Sequence, residues 1–315
     1  MIPVEFIIFI ASFIVLSYAG SLLVRSLTRI SELLGLSEYL VAFVLMSIAT
    51  SIPELFIGIS SIVQNAPGLS LGNVLGTNLL TITLIIGAVA IASNGIKLDS
   101  KISKQNFYLI FFIAFLPILL ATDGIISRGD GVLLLLSFVI YIYRLIAEKE
   151  YFTKRIEEME FSLASILGTF KNLRRFFLGI ALLIASSYFI VWSSRGIIEL
   201  LDFTFLAFGI LFVALGTSLP ELMFGIKAAF MKHKSMMLGN SLGSIAFNAT
   251  FIIGLTSVIK PIAVDFNDGA FFVSVFLFIA FVLFNLFFYS RSGISRKEGI
   301  VLLLLYLVFL SFEIL

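Results

Sequence analysis

The chain has 315 residues, of which 60% are hydrophobic, 14% aromatic and only 13% charged, about half the charged share of an ordinary soluble domain. At a mean hydropathy of +1.14, its apolar side chains exceed what a globule of this size can cover, so the remainder must face lipid. The absence of Cys and the single His, His233, exclude disulfides, thiolate chemistry and paired-His metal or haem centres, and the net charge of +2 lies scattered between apolar runs and forms no nucleic-acid patch.

The chain starts Met1-Ile2-Pro3-Val4-Glu5 with no basic segment, which reads as the entry to a first span and not as a cleaved leader. Mostly apolar runs of about 17 to 25 residues, long enough to cross hydrocarbon as a helix, then recur. They cover 3–24, 39–64, 69–93, 105–122, 130–146, 175–194, 203–231, 236–260, 268–289 and 297–314. The expected fold is therefore an all-α membrane protein of ten transmembrane helices. Pro53 and Pro220 interrupt the second and seventh spans, which are rich in Ser and Thr and read as broken helices. The polar segment 147–174, carrying Glu148, Lys149, Glu150, Lys154, Arg155, Glu157, Glu158 and Glu160, reads as a linker between the halves 1–146 and 175–315.

Orientation follows from the basic residues, because cytoplasmic loops keep the excess of Lys and Arg. With ten spans, the loops after spans 1, 3, 5, 7 and 9 hold 17 of the 21 Lys and Arg and the opposite side holds three, Arg128, Arg195 and Lys260. Lys227 alone lies within a span and is expected to snorkel to the cytoplasmic edge. Both termini are expected outside a cell membrane, with the central linker in the cytoplasm. His233 reads as a solvated turn residue, and Asp123, Asp130, Asp265 and Asp268 as interfacial groups on the outer side.

Residues 47–87 align without a gap to 214–254, with 16 of 41 pairs identical. Thr50, Ser51, Pro53, Glu54, Leu55, Gly58 and Ile59 match Thr217, Ser218, Pro220, Glu221, Leu222, Gly225 and Ile226. Leu71, Gly72, Asn73, Leu75 and Gly76 match Leu238, Gly239, Asn240, Leu242 and Gly243, and Thr83 and Ile85-Ile86-Gly87 match Thr250 and Ile252-Ile253-Gly254. The offset of 167 carries spans 2 and 3 onto spans 7 and 8, five spans later, so the two copies are expected to cross the bilayer in opposite senses. That is the inverted-repeat plan of secondary transporters, whose sites lie near the midplane.

Each copy puts one carboxylate, Glu54 or Glu221, inside an apolar span, where it is unfavourable by roughly 2.5 to 3.5 kcal/mol unless compensated. A bound cation would compensate both. Pro53 and Pro220 lack an N–H, which frees the carbonyls of Ala49 and Gly216. Thr50 with Glu54, Thr217 with Glu221, Thr77 with Thr81 and Ser244 with Asn248 are each four apart and share a helix face. Hydroxyl, carbonyl and carboxylate oxygens suit hard cations such as Ca²⁺ and Na⁺. Gly72 with Gly76 and Gly239 with Gly243 are spaced for close helix packing.

With Thr-Ser-x-Pro-Glu and Gly-Asn-x-x-Gly-[Ser/Thr] present twice, the sequence closely resembles the Na⁺/Ca²⁺ exchangers of the cation/Ca²⁺ exchanger superfamily, and the paired segments look like their two α-repeats. The resemblance implies a secondary active antiporter exchanging Ca²⁺ for Na⁺ by alternating access, with no ATP, no cofactor and no enzymatic step. Glu54 and Glu221 would be the central Ca²⁺ carboxylates, shared with Na⁺. Thr50, Ser51, Thr77, Thr217, Ser218 and Ser244 would give oxygens to flanking Na⁺ positions, and Ser47 and Ala214 would give carbonyls. Spans 1 and 6 would slide across the core. The wording Thr-Ser-x-Pro-Glu, in place of the Gly-Asn-x-x-Glu usual in proton-coupled members, implies the sodium-coupled branch.

The sequence departs from that family at Thr81, where Asn or Asp is common, and at Asn248, where Asp is common. Two carboxylates remain where three would be usual; they balance one Ca²⁺ but under-compensate three sodium ions by one charge. The alternatives are a proton-coupled or otherwise altered cation antiporter and a passive cation channel. A channel is usually assembled from several subunits around an axis, whereas a repeat of this kind makes its site within one chain. The expected partners are therefore Ca²⁺, Na⁺ and the lipid bilayer.

Overall fold

The computed structural model describes residues 3–33, 46–97, 104–147, 163–230, 234–291 and 293–314. These residues are almost entirely helical. Among the described residues six helices are long and apolar enough to cross a membrane: Val4–Ser26, Pro67–Ala92, Arg174–Leu201, Phe205–Met223, Met237–Ile259 and Phe271–Phe288. The stretches Ile52–Val63 and Tyr108–Asp123 are shorter and also apolar. Arg128–Ala147 and Arg296–Ile314 are helical too, with charged first turns that shorten their apolar runs.

The described chain begins with α1 (Val4–Leu33). A short helix α2 (Ser47–Thr50) and α3 (Ile52–Val63) follow, then α4 (Pro67–Leu80), which continues through the π-helical turn Thr81–Ile85 into α5 (Ile86–Ala92). The strand β1 (Ile96–Lys97), α6 (Lys104–Leu120), β2 (Ile125–Ile126) and α7 (Arg128–Ala147) complete the first half. The second half has α8 (Leu163–Leu201), α9 (Phe205–Phe208), a π-helical turn Gly209–Val213 and α10 (Ala214–Phe230). Next come α11 (Lys234–Ala246), the π-helical turn Phe247–Ile252, α12 (Ile253–Ile259), β3 (Ile262–Ala263), α13 (Phe271–Arg291), β4 (Gly293–Ile294) and α14 (Arg296–Ile314).

Two expectations change here. Helix α8 begins at Leu163, inside the segment read as linker, so residues 163–174 belong to the helix that enters the sixth expected span. The span around Pro53 is broken as expected, α2 ending at Thr50 and Ser51 taking φ −91° and ψ 3°. Its counterpart is not: α10 runs unbroken through Pro220. In the first copy the proline sits at the second position of a new helix, where its missing N–H is free in any case. Upstream the second copy has the π-helical turn Gly209–Val213; of its counterpart, 42–46, only Met46 is among the described residues, and it is π-helical as well.

The motif helices are the most deeply covered. Of the apolar window in Pro67–Ala92, 83% is buried, and in Met237–Ile259 78%, against 39% in Val4–Ser26 and 33% in Phe271–Phe288. One apolar cluster packs the motif helices with α6, α7, α13 and α14. A second one, with Phe9, Phe13, Leu16, Leu183, Ile190 and Phe208, joins α1 to α8. Backbones approach closely at Gly76, where an added Cβ would lie 2.5 Å from the Ile210 carbonyl oxygen and 2.7 Å from the Ala214 Cβ. Gly72 abuts the Leu206 carbonyl in the same way, which is the packing role expected of this pair. The segment that the repeat sets opposite Gly239 and Gly243, 39–43, lies outside the described residues.

Two short ribbons tie the halves together. Ile96 pairs with Ile294 and Lys97 with Gly293, while Ile125 pairs with Ala263 and Ile126 with Ile262. By the repeat offset, β1 corresponds to β3 and β2 to β4, so each ribbon joins a strand of one half to the counterpart of the other ribbon's strand. Asp130, expected at the interface, accepts from Ser127 N–H at 2.8 Å while Asp130 N–H donates to Ser127 Oγ at 3.2 Å, a capping box at the start of α7. His233 and the side chains of Lys227 and Asp268 lie outside the described set.

Candidate cation site

The two copies of the motif converge. Ser47, Thr50, Ser51, Glu54, Thr77, Thr81, Ala214, Thr217, Ser218, Glu221, Ser244 and Asn248 are all buried, none more than 5% exposed. They come from α2, α3 and Ser51 between them, from α4, α10 and α11, and from the π-helical turns Thr81–Ile85 and Phe247–Ile252.

The π-helical turns occupy matching places, Thr81–Ile85 and Phe247–Ile252, and begin at or next to Thr81 and Asn248. A π turn shifts the backbone ladder by one residue and leaves a carbonyl without its usual partner. The sequence supplies one. Thr83 Oγ1 donates to Leu79 O at 2.5 Å, and its equivalent Thr250 Oγ1 donates to Ala246 O at 2.6 Å. Composition and spacing gave no hint of these turns, although the identity of Thr83 and Thr250 in the repeat is the trace they leave.

Two oxygen clusters form, each drawn from both halves. In the first, Thr50 Oγ1 lies 3.3 Å from Ser47 O, 3.2 Å from Asn240 Oδ1 and 3.2 Å from Ser244 Oγ. Ser244 Oγ itself reaches Ser47 O at 3.4 Å. In the second, Thr217 Oγ1 lies 3.2 Å from Ala214 O, 3.1 Å from Asn73 Oδ1 and 3.5 Å from Thr77 Oγ1. Adding 167 to Ser47 and Thr50, and subtracting it from Asn240 and Ser244, converts the first cluster into the second. Thr50 Oγ1 also points at Met46 O, at 2.9 Å, and a hydroxyl has one proton to give. Each cluster has two hydroxyl protons for its contacts, so some of these oxygens face one another lone pair to lone pair, an arrangement that a cation among them makes favourable.

Asn73 and Asn240 are the members that residue-level reasoning missed as ligands. They were visible as identities in the repeat, in the Gly-Asn pair, but an amide in an apolar helix carries no charge to single it out. Their nitrogens have no hydrogen-bond partner, so they call for an acceptor such as water and not for a cation.

Glu54 and Glu221 sit between the clusters. Thr81 Oγ1 donates to Glu221 Oε2 at 3.1 Å, from one copy to the other. Glu54 lies against Thr217 and within the electrostatic reach of Glu221. Glu54 Oε2, Glu221 Oε1, Ser218 Oγ and Asn248 Oδ1 are buried without a partner. Orphaned buried oxygens are rare, and four of them around two like charges fit a hard-cation substrate. Ser51 and Ser218, expected among the ligands, are buried three residues before their carboxylates in sequence, and Ser218 Oγ joins neither cluster. Elsewhere, α1 covers the motif segments: Phe13 packs on Gly216, and Gly20 lies 3.3 Å, counted from an added Cβ, from Pro53 Cγ.

A buried pair of oxygen clusters that fits a hard cation, built twice over from one motif inside a bundle of apolar helices, is the arrangement of a membrane ion-transport protein. The sodium/calcium exchanger protein family matches residues 4–147 and 172–315, and the chain belongs to it. It is thus a membrane exchanger of the cation/Ca²⁺ exchanger superfamily and not an enzyme. It is 28% identical to the sodium/calcium exchanger MaX1 of Methanosarcina acetivorans over 98% of both chains. It is also 28% identical to the membrane protein MJ0091 of Methanocaldococcus jannaschii over 95% of both. A solved structure of the sodium-calcium exchanger NCX_Mj, soaked with Na⁺ and Sr²⁺, superposes with a TM-score of 0.70 at 26% identity over 99% of both chains.

Proposed function

We propose that the protein exchanges Ca²⁺ for Na⁺ across a cell membrane by alternating access. The observation that carries this reading is the pair of four-oxygen clusters flanking Glu54 and Glu221. Ca²⁺ would take the carboxylates, and Na⁺ the clusters with carboxylate help; Ser51 and Ser218 would add oxygens close by, and Thr81 and Asn248 would stand beside the carboxylates. Occupancy by either cation offsets the cost of two like charges held away from water. Neither cluster is complete without both halves, so a single chain supplies the whole site.

The ribbons support ten spans in two five-helix halves of opposite sense. β1 follows the third expected span and pairs with β4 after the ninth; β2 follows the fourth and pairs with β3 after the eighth. Odd pairs with odd and even with even, as loops sharing a side of the membrane must. The 17-to-3 division of Lys and Arg then sets both termini outside. Helices α1 and α8 would move as one body, sliding along the apolar seam that their shared cluster makes with Ile57, Leu69 and Val213 of the motif segments.

The test is ⁴⁵Ca²⁺ uptake into proteoliposomes. Uptake under an outward Na⁺ gradient and none under a pH gradient is the expected result. Uptake driven only by the pH gradient would make the protein a cation/H⁺ antiporter, and uptake without any counter-ion would make it a channel.

A further inference from the structure

Helix α8 meets two different neighbours along its length. Its cytoplasmic half packs on α1: a Cβ added at Gly179 would lie 3.1 Å from Leu23 Cγ and 3.4 Å from the Ala19 carbonyl oxygen. Its outer half is hydrogen-bonded to α3, the helix that carries Glu54. Ser187 Oγ lies 3.1 Å from Ser60 Oγ, and Gln64 Nε2 donates to the Tyr188 carbonyl at 3.0 Å. Ser187 gives its own proton to Ile184 O at 3.1 Å, so in the serine pair Ser60 is the donor. Both contacts lie between Glu54 and the outer end of α3, where Gln64 caps the helix.

The second copy of the motif cannot repeat them. The gapless alignment matches Lys227 to Ser60 and Met231 to Gln64, so α10 has neither the hydroxyl nor the amide at those places. The two faces of the protein are thus unequal in a way that the oxygen clusters are not.

We infer that Ser60 and Gln64 are positioning residues for the exchange cycle: their bonds to α8 form in only one of its two states and bias the protein toward the state closed on its outer face. On the alternating-access reading, on which this rests, α1 and α8 move together over the motif helices. Helix α3 is one of those motif helices, so a bond between α3 and α8 does not survive the movement. Breaking it costs little. Gln64 sits at the end of α3 in an exposed contact, where water takes its amide, and Ser60 can turn to the carbonyl of Phe56 in its own helix. A contact that is easily broken and confined to one face tilts the balance between the states without arresting the cycle.

The experiment measures Na⁺-driven ⁴⁵Ca²⁺ exchange by the full chain in right-side-out and inside-out membrane vesicles, which gives the half-saturating Ca²⁺ concentration at each face. Ser60→Ala and Gln64→Met are expected to lower it at the outer face and raise it at the cytoplasmic one. The ratio of the two is expected to shift about fivefold for each bond removed. Shifts of the same sign at both faces, shifts in the reverse sense, or no shift overturn the inference. A second arm uses the absence of Cys from the chain. The double variant Ser60→Cys/Ser187→Cys is expected to exchange when reduced, to stop when oxidised to the disulfide, and to resume on reduction. A cross-linked protein that still exchanges at the reduced rate overturns the inference, because the contact would then persist through the cycle. Absence of Na⁺-driven exchange in the unsubstituted protein overturns the reading beneath it instead.

Discussion

The two copies of the motif share 16 of 41 residues and still solve one mechanical problem differently. In the first, the helix ends at Thr50 and restarts at Ile52, with Pro53 in its opening turn. In the second, α10 is continuous through Pro220. Their oxygen clusters nonetheless correspond atom by atom. What the repeat preserves is the placement of oxygens, and the backbone route to that placement is free to differ.

The largest expected effect comes from removing a carboxylate. Glu54→Gln and Glu221→Gln should each weaken ⁴⁵Ca²⁺ binding by at least about a hundredfold while the protein stays folded, because the surviving charge no longer balances a divalent ion. A large loss from one and none from the other would break the equivalence of the copies. Smaller, and again matched, are Thr50→Val and Thr217→Val. Each removes the oxygen at the centre of one cluster and should cost about 1 kcal/mol, roughly a fivefold rise in the Na⁺ concentration for half-maximal exchange.

Packing sharpens the comparison further. Gly76→Ala pushes a methyl group against the Ile210 carbonyl and the Ala214 Cβ, and should destabilise the protein by about 1 to 3 kcal/mol in thermal unfolding. The prolines should separate the copies. Pro220→Ala restores a backbone N–H that can take the Gly216 carbonyl and straighten α10, so it should slow exchange several-fold. Pro53→Ala, at the start of a helix, should change it by less than about twofold. The smallest effect is expected at the exposed contact between Lys260 Nζ and Asn65 Oδ1, where Lys260→Ala should cost less than about 1 kcal/mol.

Much of the site was legible in the sequence because charge and spacing expose it: two glutamates in apolar spans, hydroxyls four residues away, and the same pattern twice. Glu54, Thr50, Glu221 and Thr217 all fall where that pattern puts them. Asn73 and Asn240 did not stand out, since their role depends on facing a threonine of the opposite copy across more than 140 residues of sequence. The π turns were illegible for a related reason. They depend on a single inserted backbone register, and the local trace in the two matching turns is a threonine, Thr83 or Thr250, that bonds back four residues. Where the sixth helix begins was not legible, because Ser165, Thr169, Lys171 and Arg174 interrupt the apolar residues of 163–174 and hide that the helix starting there runs on to Leu201.

If the two copies hold one cation between their glutamates, anomalous diffraction from crystals of the full chain soaked in Sr²⁺ should show one strong peak within bonding distance of carboxylate oxygens from both Glu54 and Glu221, absent in Glu54→Gln crystals. A peak bound elsewhere, or by only one of the two residues, would contradict it.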